Sequence, residues 1–423
     1  MPAGPSARGA ARIWLLEGRP GDLGRLERVL RDAGTEVLRT SLATLPAGAA
    51  PDAVVLALGP DLARPVGRLM RSWPGYRPPL LGHAPARDDL MLSRGLALGC
   101  CDVLDDDLPP ATTAAVVGRA AELGLLRREL AGRIRLLESF ASREEGEAEP
   151  AEPPPSLLLL GPATVEQVEI ARAVGQARIA YGHGPGTGPV EGFDLVVRTC
   201  QEHAPGLLPR IAGDGVLLAT TDAPGPDEEP VTIGTVDGEG RPSIAPCGDP
   251  FALRMHLAFW TAFARARRRL RALPDADRHA LARDDMTALG NFAYLASYLD
   301  AVGSQGGEVP LLAIGLPALE RINREEGFAA GNRLLREAGR LLRDHCRAAD
   351  LLARVGGSFL CVPSAVRQEA PPAMAARLAA VLRRLPGQPA PMVVTSAARR
   401  GEEASRTIHR VRRELRSELA RVA

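Results

Sequence analysis

Arg347–Val362 reads RAADLLARVGGSFLCV, two apolar runs on either side of a glycine pair. Gly356 and Gly357 between such runs are a strong β-hairpin signal, because both turn residues can need positive φ, which glycine adopts at no steric cost. Ser358 and Phe359 follow the pair, and Arg347 and Asp350 stand three residues apart just before the first strand. A hairpin by itself implies no activity.

Outward from this hairpin, TALGNFAYLASYLDAV has the period of a capped helix and VPLLAIGL that of a buried strand. PALERINREEG and AAGNRLLREAGRLLRDHCRAAD are helices. Residues 280–423 therefore read as one α/β domain.

Residues 10–142 alternate strands and helices. RIWLLEG and DAVVLALG are buried strands, PGDLGRLERVLRDAG is an amphipathic helix ended by Gly34, and a long helix runs from Pro110 to Ser142. That order predicts a parallel sheet. The leucine-rich stripe of the long helix suits either a homodimer surface or the cover of its own sheet. An acidic, proline-rich linker follows over 143–156. From 157 to 273 the same strand and helix order returns, as in a divergent tandem copy. The glycine-rich GHGPGTGPVEG in this copy lacks a helix-opening Lys-Ser/Thr and reads as a surface loop.

Composition excludes several classes. The formal net charge is +1 and aromatic residues make up 4%, so neither a field nor a stacking platform for nucleic acid is present. The apolar runs are too short to insert in a membrane and residues 1–16 lack a signal-peptide core, so a cytoplasmic location is expected. Six cysteines without CxxC or HxxxH suggest neither a disulfide scaffold nor a zinc site. All 52 basic residues are arginine, which removes Walker-A loops and Schiff-base chemistry.

Both amino-terminal halves resemble receiver domains of two-component signalling, which are flavodoxin-like and doubly wound. The resemblance puts the phosphoacceptor position on Ala57 and on Thr199, where no aspartate stands. The family's acidic pair is reduced to Glu17-Gly18 and Gly161-Pro162, and its lysine position falls on Asp106. Neither half is expected to take up phosphate or to bind Mg²⁺.

DDMTALGNF from Asp284, GLPALERINREEGFAAGN from Gly315 and RVGGSF from Arg354 resemble, in order and spacing, the motifs of the GGDEF domain of diguanylate cyclases. That family joins two GTP molecules with metal ions held by carboxylates. The corresponding acidic positions here are Gly315, Pro317, Ser358 and Phe359, so the resemblance implies a degenerate GGDEF domain with no resident metal or cofactor and no catalysis. Of the family's guanine-recognising pair, Asn323 survives and the aspartate has become Asn332. The family's inhibitory site, R-x-x-D, falls on Arg347 and Asp350, and its second arginine on Arg377. Cyclic di-GMP is the ligand this implies. An Arg fork donates to guanine O6 and N7 or to phosphate, and a carboxylate accepts from the guanine N–H edge.

The whole order resembles response-regulator cyclases, among them effectors with an inactive GGDEF domain. It implies a receptor that recruits protein partners, a protease adaptor being one candidate, in cell-cycle signalling at a cell pole. Two other readings stay open. One is a ligand-independent scaffold in which Arg347 and Asp350 form an ordinary ion pair, as RPGD at Arg19–Asp22 would. The other is a weak cyclase or GTP-binding domain.

Overall fold

The computed structural model describes residues 11–17, 23–41, 50–60, 62–73, 75–140, 154–160, 170, 177–182, 193–198, 216–220, 243–244, 250–273, 277–304, 308–364, 370–385 and 391–422. Leaving residues 1–9 aside, two compact units result, Ala10–Arg127 with Glu147–Arg268, and Arg128–Gly146 with Arg269–Ala423.

The first unit holds two parallel sheets. One is built from β1 (Arg12–Glu17), β2 (Glu36–Ser41), β3 (Ala53–Ala57), β4 (Leu80–His83) and β5 (Asp102–Leu104), in the order β2-β1-β3-β4-β5. Helices α1 (Gly24–Asp32), α2 (Ala63–Arg71) and α3 (Asp89–Leu98) connect the strands, and α4 (Pro110–Glu138) follows them. Ile13–Leu16 and Ala53–Leu56 are buried on both faces, as unbroken apolar strands of a parallel sheet require. The second sheet comprises β6 (Ser156–Leu160), β7 (Arg178–Gly182), β8 (Leu195–Arg198), β9 (Val216–Thr220) and β10 (Ser243–Ile244), ordered β10-β9-β8-β6-β7. Counted along the chain, both sheets share the doubly wound order 2-1-3-4-5. Helix α5 (Pro250–Ala272) follows the second sheet and places Ala252 and Met255 in the core beneath the first.

Helix α4 is shorter than its sequence pattern suggests. It ends at Glu138 rather than Ser142, where the Ser139 hydroxyl and amide both turn back to the Leu136 carbonyl and the Phe140 amide to that of Leu137. From Arg128 onward it groups with the second unit, as does α5 from Arg269.

In the second unit the described strands form one antiparallel sheet, ordered β12-β13-β11-β14, from β11 (Val309–Gly315), β12 (Leu351–Val355), β13 (Ser358–Val362) and β14 (Met392–Ala398). Around it lie α6 (Phe292–Gly303), α7 (Ala318–Glu325), α8 (Phe328–His345), α9 (Pro371–Leu382) and α10 (Ala404–Val422). Helix α6 begins later than TALGNF suggests, because the Asn291 side chain caps it by accepting from the Tyr294 amide at 3.0 Å. Gly327, at φ +86°, separates α7 from α8. Leu334, Leu335, Ala338 and Leu342 of α8 pack with Leu312, Ile314, Phe359 and Cys361 of the sheet and Met374 and Leu378 of α9. Full burial of such a side chain stabilises by about 1.5–3 kcal/mol. The C-terminal stretch forms a full helix whose Ile408, Val411 and Leu415 are buried. Among the described residues no helix is long and apolar enough to cross a membrane.

Candidate functional site

Helix α8 ends at His345, and the chain then turns through Arg347–Asp350 into β12. The Asp350 carboxylate holds that turn: one oxygen accepts from the Arg347 amide and the other from the Ser364 amide, each at 2.9 Å. Asp350 is 7% exposed, whereas Arg347 is exposed. Burial raises the Asp350 pKa, against the pull of the two amides and of the Arg347 and Arg133 guanidinium groups.

Arginines ring the carbonyl end of α8, where the helix dipole is negative. Arg377, on α9, donates to the His345 carbonyl. Arg271, at the end of α5, donates to the carbonyls of Arg343 at 2.6 Å and Cys346 at 3.4 Å. Arg133, on the last turns of α4, donates to the Ala349 carbonyl inside the turn. It is paired with Glu129 at 2.7 Å, and Tyr298 donates its hydroxyl to the same Glu129 oxygen at 2.7 Å. Thus the three residues expected to bind ligand, Arg347, Asp350 and Arg377, do come together around one helix end. Arg133, Arg271, Arg343 and Tyr294, which line the pocket beneath the turn with Arg347 and Asp350, escaped sequence reading. Tyr294 was a polar tip in an otherwise apolar helical stretch, whereas Arg271 and Arg343 sat in arginine-containing helix ends where nothing local singled them out.

The hairpin forms where its glycines put it, with Val355 opposite Ser358. Its turn differs from expectation in one respect: Gly356 alone takes positive φ, +67°. Gly357 keeps ordinary φ, and a Cβ there would stand 3.0 Å from Leu319 Cδ2, so the leucine would have to shift by a few tenths of an ångström. Ser358 donates its hydroxyl to the Val355 carbonyl at 3.0 Å, and Phe359 is fully buried in the core. Gly315 pairs with Ser358 across the sheet. A Cβ on Gly315 would meet Leu419 Cδ1 at 2.9 Å and Leu415 Cδ1 at 3.3 Å. Pro317 precedes α7 and offers no donor atom. These four positions do not fit a divalent cation: they carry no carboxylate, and leucines of α10 occupy the space beside the first of them. Among the described residues no cluster of His, Cys, Asp or Glu could hold a metal.

Asn323, on α7, packs against Gly331, where a Cβ would lie 2.9 Å from its Cγ, and Asn332 is the next residue on α8. The opening motif meets the hairpin directly. Asp284 pairs with Arg354 at 2.8 Å and accepts from the Thr287 hydroxyl at 2.7 Å, while Gly290 bridges to the backbone of β12.

In the first sheet, Ala57 ends β3 and presents no nucleophile. Glu17 is engaged by Arg39 at 2.8 Å and by the Leu23 amide at 2.9 Å. Asp106 lies 3.5 Å from His83. Thr199, Gly18, Gly161 and Pro162 lie outside the described residues.

Comparison with curated proteins gives no match. Among solved structures, the chain is similar to the diguanylate cyclase SiaD, in complex with its activator SiaC, from Pseudomonas aeruginosa, at 24% identity and TM-score 0.31. That alignment covers 36% of this chain and spans 61% of SiaD. A sensory box/GGDEF family protein from Caulobacter crescentus aligns at 25% identity and TM-score 0.26 over 32% of this chain and 96% of that one. The GGDEF domain of DgcB from Caulobacter crescentus, in complex with c-di-GMP, aligns at 17% and 0.27 over 32% and 86%. The family model described as diguanylate cyclase, GGDEF domain, matches residues 281–401, and this chain therefore carries a GGDEF domain there.

Proposed function

We propose that the chain is a non-catalytic receptor for cyclic di-GMP, which it binds on the Arg347–Asp350 turn, with Arg377 beside it. The observation that carries this reading is the contrast between two parts of one domain. The turn keeps an exposed Arg347 on a buried, amide-held Asp350. The positions where a cyclase needs carboxylates hold Gly315, Pro317, Ser358 and Phe359, and Leu415 and Leu419 pack on the first of them. An exposed guanidinium stacks on a purine and donates to its O6 and N7 edge. Each Asp350 oxygen accepts one amide and retains acceptor capacity for a guanine N–H.

The two parallel sheets we read as receiver-like domains that take no phosphate. Their shared strand order and the engagement of Glu17 by Arg39 support this. The succession of parts resembles the effector PopA. That resemblance supports recruitment of a protein partner, such as a protease adaptor, in cell-cycle signalling at a cell pole.

The test is calorimetric titration of cyclic di-GMP into the purified chain and into Arg347→Ala. Micromolar or tighter binding that vanishes in the variant is expected, with no cyclic di-GMP formed from GTP and Mg²⁺ or Mn²⁺. A parent chain that does not bind, or one that makes product, overturns the reading.

A further inference from the structure

Beneath the Arg347–Asp350 turn lies a small pocket of about 50 Å³. That is room for one or two waters or a single small anionic group, and far too little for a nucleoside. Among the described residues that line it, Arg133, Arg271, Arg343 and Arg347 stand against one carboxylate, Asp350; Glu129, outside the lining, pairs with Arg133 at 2.7 Å, which leaves three guanidinium groups against one acid. Several of the guanidinium groups already donate to backbone carbonyls: Arg343 to Thr287 and Ala288, Arg271 to Arg343 and Cys346, Arg133 to Ala349. Carbonyls bring only partial charge, so a guanidinium-rich wall favours an anion.

A second, independent observation points the same way. Tyr294 also lines the pocket, is 2% exposed, and its hydroxyl has no hydrogen-bond partner among the described residues. Its ring is held edge-on to Phe140, with centroids 6.2 Å apart. Burial pushes its pKa up to about 12, so the group keeps its proton and remains a donor at neutral pH. Buried polar groups in folded proteins nearly always find a partner, and an exception asks for a missing ligand or water.

We propose that this pocket receives a phosphate oxygen of the bound cyclic dinucleotide, with the Tyr294 hydroxyl and the Arg271 guanidinium as binding groups contributed from outside the R-x-x-D turn. The inference rests on the reading of the Arg347 turn as the dinucleotide site. It assigns the base to the exposed face of the turn and the phosphodiester to the pocket behind it. It also makes residues that no R-x-x-D pattern includes decisive for affinity. Arg271 is one, delivered by the last turn of α5.

Calorimetric titration of cyclic di-GMP into the full chain and into Tyr294→Phe, Arg271→Gln and Arg347→Ala tests it. Tyr294→Phe should weaken binding about tenfold or more, the scale of one hydrogen bond to a charged group. Its unliganded thermal transition should stay in place or rise, since the lost hydroxyl had no acceptor. A hydroxyl with a purely structural role would instead lower that transition. Arg271→Gln should weaken binding likewise, and it carries the test should Tyr294→Phe fail to fold. If the parent binds, Arg347→Ala does not, and both pocket variants bind as the parent does, the pocket assignment is overturned while the receptor reading stands. If the parent ignores cyclic di-GMP but binds inorganic phosphate through Tyr294, both are overturned and the pocket is a site for free phosphate.

Discussion

Asp350→Ala probes how far the turn is built before any ligand arrives. The carboxylate accepts from the Arg347 and Ser364 amides at 2.9 Å each. Hydrogen bonds to a charged group contribute about 1.5–3 kcal/mol apiece, so the gross loss is about 3–6 kcal/mol. Against it stands the relief of a buried charge, because Asp350 is 7% exposed and burial raises its pKa. The net cost to the turn comes to about 1–3 kcal/mol, or roughly tenfold to a hundredfold faster amide exchange at Ser364 and Arg347. Hydrogen exchange on the whole chain measures this without assuming two-state unfolding. The pH dependence has a definite sign. A carboxyl whose folded pKa is raised binds its proton more tightly in the native state. Its contribution is complete below the unfolded value near 3.8 and declines as pH rises through the folded value. The parent should therefore show protection falling as pH rises above that unfolded value, and the variant should not. Unchanged protection of both amides in Asp350→Ala would refute the reasoning. A positive result has a corollary: lost dinucleotide binding in an Asp350 variant shows only that the turn collapsed, whereas Arg347→Ala leaves the Arg347 amide to Asp350 in place.

Two further outcomes follow from the same geometry. Gly315→Asp should lower the thermal transition of the chain by the equivalent of about 1–3 kcal/mol, because the new side chain is forced against Leu415 and Leu419; an unchanged calorimetric transition would mean the space beside β11 is open. Hydrogen bonding from Arg410, at 2.8 Å, holds the Glu402 pKa down to about 2. Arg410→Ala should let it return toward 4.5, read by carboxyl NMR titration. Stabilisation linked to this depressed carboxylate is present above its unfolded value and lost as pH falls toward about 2. Glu402 still titrating near 2 in the variant would remove Arg410 as the cause.

The sequence was most legible where local chemistry decides structure. A glycine pair between apolar runs placed the hairpin within a residue, and the apolar runs of β1 and β3 are the buried central strands of the first sheet. What escaped depends on contacts between distant segments. The crowding at Gly357 comes from Leu319, and the filling beside Gly315 comes from a helix about a hundred residues further on. Arg133 reaches Ala349 across 216 residues. Periodicity marks which face of a helix is buried and cannot say against what. It therefore reads Arg133 and Glu129 as interruptions of a leucine stripe, although they form a buried ion pair with Tyr298.

The two halves of the GGDEF domain follow one physical rule in opposite directions. A buried carboxylate persists only with cations or donors to satisfy it. Around Gly315 and Phe359 the carboxylates are absent and the neighbours are apolar: Phe359 lies in the core, and Leu415 and Leu419 press where a side chain at 315 would stand. These residues fit one another, so no single reversion restores a metal site. At the Arg347 turn every element of the opposite case is kept. Asp350 has two amides, the carbonyls around it have Arg133, Arg271 and Arg377, and the guanidinium of Arg347 is held at the surface. Those arginines meet carbonyls at the negative end of α8 and in the turn that follows it, so this part of the domain keeps its polar groups satisfied where the other has replaced them with apolar side chains.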